Sequence, residues 1–126
     1  MMYTKGFQQY KEQSIDTMTQ SELLLTVYDE LVKRLTRAEI ALEKGEFAIM
    51  EASVDRSTEI IKYLDGTLDR SYEISKNLAQ LYEYFCYELV RVKIGRNATE
   101  LQRVKNMVIE LRDSFRTAAA NSATGK

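Results

Sequence analysis

The sequence predicts an all-α protein, an antiparallel four-helix bundle with a short N-terminal cap segment or helix. Three observations carry this. Apolar residues recur at steps of three and four along four successive segments. Glycines and capping residues fall between those segments. Strand signals, meaning apolar–polar alternation bounded by turn residues, are nearly absent. Four segments of about 18 to 25 residues joined by short loops imply antiparallel neighbours. At 1.5 Å per residue, the bundle should be roughly 30 to 38 Å long.

The first segment is QSELLLTVYDELVKRLTRAEIALEK, with Leu24, Val27, Tyr28, Leu31, Leu35, Ala38 and Leu42 on one face. Thr19 and Glu22 form a capping box, in which the hydroxyl accepts from an early helical N–H and the carboxylate reaches back. Lys44 and Gly45 make a plausible stop. The second segment is EFAIMEASVDRSTEIIKYLDG, where Phe47, Met50, Val54, Ser57, Ile61 and Leu64 mark a narrow bundle seam. The third runs from about residue 72 to 94, with Ile74, Leu78, Leu81, Phe85, Leu89 and Val92 as its core stripe. The fourth opens at NATELQRV: Asn97 can cap it, with Glu100 three residues on, and Leu101, Val104, Val108, Leu111 and Phe115 face inward. Gly45, Gly66 and Gly95 each follow a helical segment, where a C-terminal glycine is expected.

The 126 residues fit one domain, residues 1–126. Residues 1–16 hold Tyr3, Phe7, Tyr10 and Ile15 in a polar background and are expected to be mobile. Residues 117–126, TAAANSATGK, are expected to form a frayed or disordered tail. A net charge of −1, from 18 basic and 19 acidic residues, gives no footprint for nucleic acid. No apolar run reaches the roughly 18 residues of a membrane span, and the N-terminus lacks the apolar core of a signal peptide. A cytosolic protein without membrane insertion is the default. Cys86 is alone, so no internal disulfide is available, and its apolar setting reads as a buried, inert thiol.

The absence of histidine removes the commonest general base and the commonest metal ligand. There is no glycine-rich phosphate loop. The chain reads as no enzyme, with no catalytic residue, no metal and no cofactor. A carboxylate-only metal site is the weak rival, since bundle di-iron sites use Glu-x-x-His pairs. Glu22, Asp29, Glu73 and Glu83 read as surface, cap or ion-pair residues, and Asp29–Lys33 as surface charge patterning.

The stretch LYEYFCYEL, residues 81–89, sets large rings on several faces of one helix. Phe85 belongs to the core stripe, Tyr82 to its flank, and Tyr84 and Tyr87 lie well off it. Boundary rings with hydroxyls in water are the plain explanation. With Tyr10, Tyr28, Tyr63 and Tyr72 added, the set favours apolar grooves between helices that accept amphipathic segments.

Residues 10–35, YKEQSIDTMTQSELLLTVYDELVKRL, resemble the signature of the flagellin-specific export chaperones of bacterial flagella, the FliS family. That signature runs Tyr, four residues, Val or Ile, Thr-Ala-Ser-Pro, Glu-Leu, an apolar run and Leu-Tyr-Asp-Gly. Tyr10, Ile15, Thr17, Glu22, Leu23, Leu24, Leu25, Tyr28 and Asp29 fall on it. Residues 73–85, EISKNLAQLYEYF, are similar to the family's Ile-Ala-x-Asn-Leu-x-x-Leu-Tyr-x-Tyr stretch through Ile74, Asn77, Leu78, Leu81, Tyr82 and Tyr84. VIELRDSF resembles the closing Leu-x-x-Leu-Arg-x-x-Trp, with Phe115 in the aromatic slot. Met18-Thr19-Gln20 departs from Ala-Ser-Pro and lacks the proline, Glu30 replaces a glycine, and Ser75 replaces an alanine.

The resemblance implies a four-helix chaperone that binds the disordered C-terminal segment of flagellin in inter-helix grooves. It implies that the client is kept from early polymerisation and delivered to the gate of the flagellar type III export apparatus. The residues expected to contact flagellin are Tyr10, Ile15, Tyr28, Ile74, Asn77, Leu78, Tyr82 and Tyr84. For Tyr28 the alternative is a core tyrosine with a buried hydroxyl partner, and Ile74 and Leu78 read equally as core. Tyr10 and Ile15 are expected to cover a groove until the client arrives. The alternative is a non-enzymatic adaptor or dimerisation bundle without a flagellin client, and a homodimer of the free protein stays open.

Overall fold

The structure, a computed structural model, describes residues 19–124. The expectations for residues 1–16, Tyr10 and Ile15 among them, lie outside the described residues. Four helices follow in order: α1 (Gln20–Glu43), α2 (Phe47–Gly66), α3 (Glu73–Gly95) and α4 (Ala98–Thr124). No strand occurs among the described residues. Helix α1 packs on α2 and α4, and α3 packs on the same two, so the helices form a square in chain order. The turns at residues 44–46 and 96–97 share one end, and the turn at 67–72 lies at the other.

Local signals set the helix ends. Thr19 Oγ1 accepts from the Glu22 N–H at 3.1 Å, so the cap forms without the proline usual at position 20, just after it. Asn97 Oδ1 accepts from the Glu100 N–H at 3.1 Å in the same way. Gly45 takes the left-handed conformation (φ 74°) that closes α1, as a glycine stop should. Gly95 does not: it ends α3, and the left-handed residue is Arg96 (φ 53°). The Arg96 guanidinium sits 3.6 Å from the centre of the Phe47 ring at the start of α2, an attraction that offsets the backbone cost and ties the two turns together.

The inward stripes of α1, α2 and α4 follow the sequence periodicity. Leu31, Leu35, Met50, Val54, Ile61, Leu64, Leu101, Val104 and Val108 are all buried. Ser57 is buried too, and its hydroxyl donates to the Ser53 carbonyl at 2.9 Å. The N-terminal half of α3 differs from expectation. Its buried positions are Ser75 and Tyr82, with Leu78 and Leu81 half-buried and Ile74 exposed; Phe85, Leu89 and Val92 are buried as expected. The steps 75, 78, 82, 85 also alternate three and four, and the partner found by the Tyr82 hydroxyl selects them over 74, 78, 81, 85. The tail differs as well. Helix α4 continues through residues 117–124, where three consecutive alanines, the best helix formers, carry it beyond the core.

Ion pairs link neighbouring helices. Asp29 on α1 pairs with Arg112 and Arg116 of α4 at 3.3 and 3.4 Å, rather than with Lys33 as the spacing suggested. Lys105 reaches Glu39 at 2.7 Å, and Lys93 reaches Asp55 at 2.9 Å. Glu30, which stands where the related signature has glycine, turns along α1 to Arg34 at 2.9 Å.

Candidate functional site

Two tyrosines expected at a groove lie in the core. Tyr28 is 0% exposed and Tyr82 3% exposed. They sit on α1 and α3, diagonal across the square, and their hydroxyls hydrogen-bond to each other. Burial pushes both phenols above their ordinary range. The Tyr28 ring also packs on Phe115 of α4 with centroids 5.5 Å apart. In this conformation the pair anchors three helices and offers almost no surface to a partner.

Of the other expected residues on α3, Ile74, Asn77 and Tyr84 come together on one edge, while Leu78 lies half-buried toward the core. Ile74, Asn77, Leu81, Tyr84 and Glu88 follow steps of three, four, three and four, which places them within an arc of about 80°. Helix α3 packs on α2 and α4 and its other flank meets α2, so this edge lies on the side of α4. The opposite flank, with Ala79 and Cys86, lines a cleft against α2 with Ile61, Lys62 and Asp65. Ile74 is 61% exposed and Tyr84 36%, Asn77 is exposed, and Leu78 and Leu81 are half-buried between edge and core. An aliphatic, an aromatic and an amide in line along a helix suit an amphipathic segment: the rings and branched chains supply area, and Asn77 supplies both donors and acceptors.

A second concave site lies at the open end of the bundle. Leu23, Leu24 and Val27 of α1 face Tyr63, Leu64 and Thr67 across a cleft of about 300 Å³. It begins beside Gln20, at the start of α1.

Sequence reasoning did not single out Glu88, and it read Glu100 only as the residue three on from the Asn97 cap. The signal was present: Glu-Leu-Val-Arg at 88–91 and Glu-Leu-Gln-Arg at 100–103 lie either side of the last turn. Among the described residues no group of three or more acidic, cysteine or histidine side chains is placed to hold a metal ion. Cys86 is half-buried, and that burial pushes its thiol up, away from reactivity. No described helix is long and apolar enough to cross a membrane.

Several known proteins share this chain's pattern. The flagellar secretion chaperone FliS of Bacillus subtilis is 28% identical over 109 residues, covering 86% of this chain and 82% of the relative. FliS of Salmonella typhimurium is 24% identical over 123 residues, covering 91% of each. The chaperone FliSB of Pseudomonas aeruginosa is 25% identical over 121 residues, covering 91% of this chain and 96% of that one. A crystal structure of a bacterial flagellar chaperone superposes with a TM-score of 0.76 over 94% of this chain and 98% of its own, at 17% identity, and so shares the fold. The family model for the flagellar protein FliS matches residues 3–122, nearly the full length, and the chain therefore belongs to the FliS family.

Proposed function

We propose that this protein is a flagellar secretion chaperone whose client is the C-terminal segment of flagellin, received along the α4-facing edge of α3. One observation carries the placement: with the Tyr28–Tyr82 pair closing the core, Ile74 and Tyr84 remain exposed in line on a helix of a FliS-family bundle. Exposed aliphatic surface of that kind is stabilised by a partner that covers it. A disordered client folding onto the edge loses entropy as it orders, which keeps affinity moderate for the area buried and allows release. Nothing in this task requires catalysis. The client, held as a monomer in the cytosol, is then handed to the flagellar export gate. Tyr10 and Ile15 are proposed to cover a groove in the free protein until the client arrives.

The test is isothermal titration of the full chain with the C-terminal roughly 40 residues of flagellin from the same genome, with circular dichroism on the mixture. One-to-one binding with a negative heat-capacity change and a gain of helix is expected. Ile74→Lys should weaken binding about tenfold or more, since it replaces buried aliphatic area by a charge. Asn77→Leu should weaken it if the amide holds client backbone. Absence of binding to an intact segment refutes the client. A rival reading, an adaptor bundle that pairs with its own copy, draws on Tyr87, Val90 and Ile94, exposed at steps of three and four on the outward face of α3. It predicts a dimer in sedimentation that Ile94→Lys dissolves.

A further inference from the structure

The seam between α1 and α2 opens into a cleft of about 320 Å³ whose charges are of one sign. Arg34 and Arg37 of α1 and Arg56 of α2 line it, with Ala48, Ile49 and Ala52 of α2 as its apolar wall. Among the described residues no acid lines it. The two alanines leave the wall low, and Ile49 beside them is 39% exposed. The arginines are only partly engaged. Arg34 Nε donates to Glu30 and Arg56 Nη1 to Glu59, each at 2.9 Å, and both acids lie outside the cleft lining. Each guanidinium keeps further N–H groups to offer. Arg37 is not engaged at all: among the described arginines it alone has no ion pair, hydrogen bond or ring contact. The sequence explains why. The positions three and four away on α1 are Lys33, Arg34, Ile40 and Ala41, so no acid is within reach along the helix. The cleft is thus a local concentration of positive charge in a chain whose net charge is −1.

Carboxylates match the guanidinium fork in geometry and in sign. Arg34 and Arg37 stand about 4.5 Å apart along the α1 axis, close to the rise between acids three or four apart on a second helix. The low apolar wall has room for an aliphatic side chain, and Ile49 gains burial from it. We propose that the α1/α2 cleft docks an acidic amphipathic helix of a partner protein, its carboxylates on Arg34, Arg37 and Arg56 and an aliphatic side chain against Ile49 and Ala52. With the helices in a square in chain order, this seam lies opposite the α3/α4 seam. The chain can therefore hold such a partner and a client on α3 at the same time. That last consequence rests on the client reading above; the acidic partner does not.

Fluorescence anisotropy of a labelled peptide with the full chain tests it, without client. The probe is a helix of about 15 residues of Glu, Leu and Ala with its acids three and four apart, and its counterpart carries Gln for Glu. The Glu peptide should bind about tenfold more tightly, the sum expected of three partly exposed ion pairs, and lose that margin as salt is raised. Arg37→Glu gives up no ion pair or hydrogen bond among the described residues, so it should abolish the margin without lowering the urea midpoint. Lys62→Glu, the same charge change in the α2/α3 cleft, should keep it. Equal binding of the two peptides, or equal loss of the margin in both variants, would overturn the proposal. Displacement of the Glu peptide by millimolar inorganic phosphate, beyond the effect of sodium chloride at the same ionic strength, would overturn it too and make this a site for small anions. Each of those results leaves the flagellin reading, tested with its own segment, untouched.

Discussion

Removing hydroxyls from the Tyr28–Tyr82 pair has a result that depends on how many are removed. Tyr28→Phe leaves the Tyr82 hydroxyl dry and unpartnered, at a cost of about 1–3 kcal/mol; Tyr82→Phe does the same to Tyr28. The double variant keeps both rings and orphans nothing, so it should lie within about 1 kcal/mol of the parent. Urea unfolding of the four proteins gives the cycle, and the double should be more stable than the summed singles by about 2 kcal/mol or more. Additive losses would refute the paired-hydroxyl account. Loss of client binding in the double variant at unchanged stability would refute the assignment of both rings to the core.

The same pair fixes the alkaline limit of the fold. Desolvation is the larger cause of the upward shift in both phenols. The shared hydrogen bond adds to it at Tyr28 and pulls Tyr82 back. The folded state thus keeps protons that the unfolded chain releases above about pH 10. Stability is full below that pH and falls above it, by about 1.4 kcal/mol per pH unit for each phenol still protonated in the fold. Absorbance titration should find two of the eight tyrosines silent until the chain unfolds, and none silent in the double variant.

Three further outcomes are expected. Gly45→Ala should cost about 1 kcal/mol in a thermal melt, although an added Cβ meets nothing within 4 Å, because the cost lies in the positive φ alone. Arg96→Gly relieves a left-handed backbone while losing the Phe47 ring contact, two changes of about 1 kcal/mol with opposite sign, so it should be nearly neutral, whereas Arg96→Ala should destabilise. Asn97→Ala should lose about 1 kcal/mol, and Asn97→Ser should recover most of it, as read by urea unfolding.

Much of the fold is readable in short windows. The stripe of α2 and the caps at Thr19 and Asn97 depend on neighbours within a few positions, and periodicity or side-chain chemistry exposes them directly. Helix α3 resists that reading because two stripes fit it. Ile74 and Leu81 look more like core than Ser75 and Tyr82 until Tyr28, 54 positions earlier, supplies a partner for the Tyr82 hydroxyl. Of the edge residues, Tyr84 stood out by its place off the expected core stripe, Ile74 was read by periodicity as core, and Asn77 entered through likeness to a family. Glu88 was passed over because interleaved charges look alike in a sequence; only packing reveals which acid lacks water.

The core and the candidate edge are therefore one decision. Turning Tyr82 inward turns Ile74 and Leu81 toward the rim, so the hydroxyl pair holds open the surface proposed for the client. Replacing Tyr82 with Leu and Tyr28 with Phe removes the hydroxyls and leaves two fits of similar apolar content for the N-terminal half of α3. The helix is then free to turn partway about its axis and bury Ile74 and Leu81, gaining aliphatic burial worth about 1.5–3 kcal/mol for each chain fully covered. Stability should change little while client affinity falls, and amide chemical shifts along residues 74–84 should move together. Unchanged affinity with shifts confined to the substituted sites would show that packing elsewhere sets the rotation of α3, and that the tyrosines only fill the space it leaves.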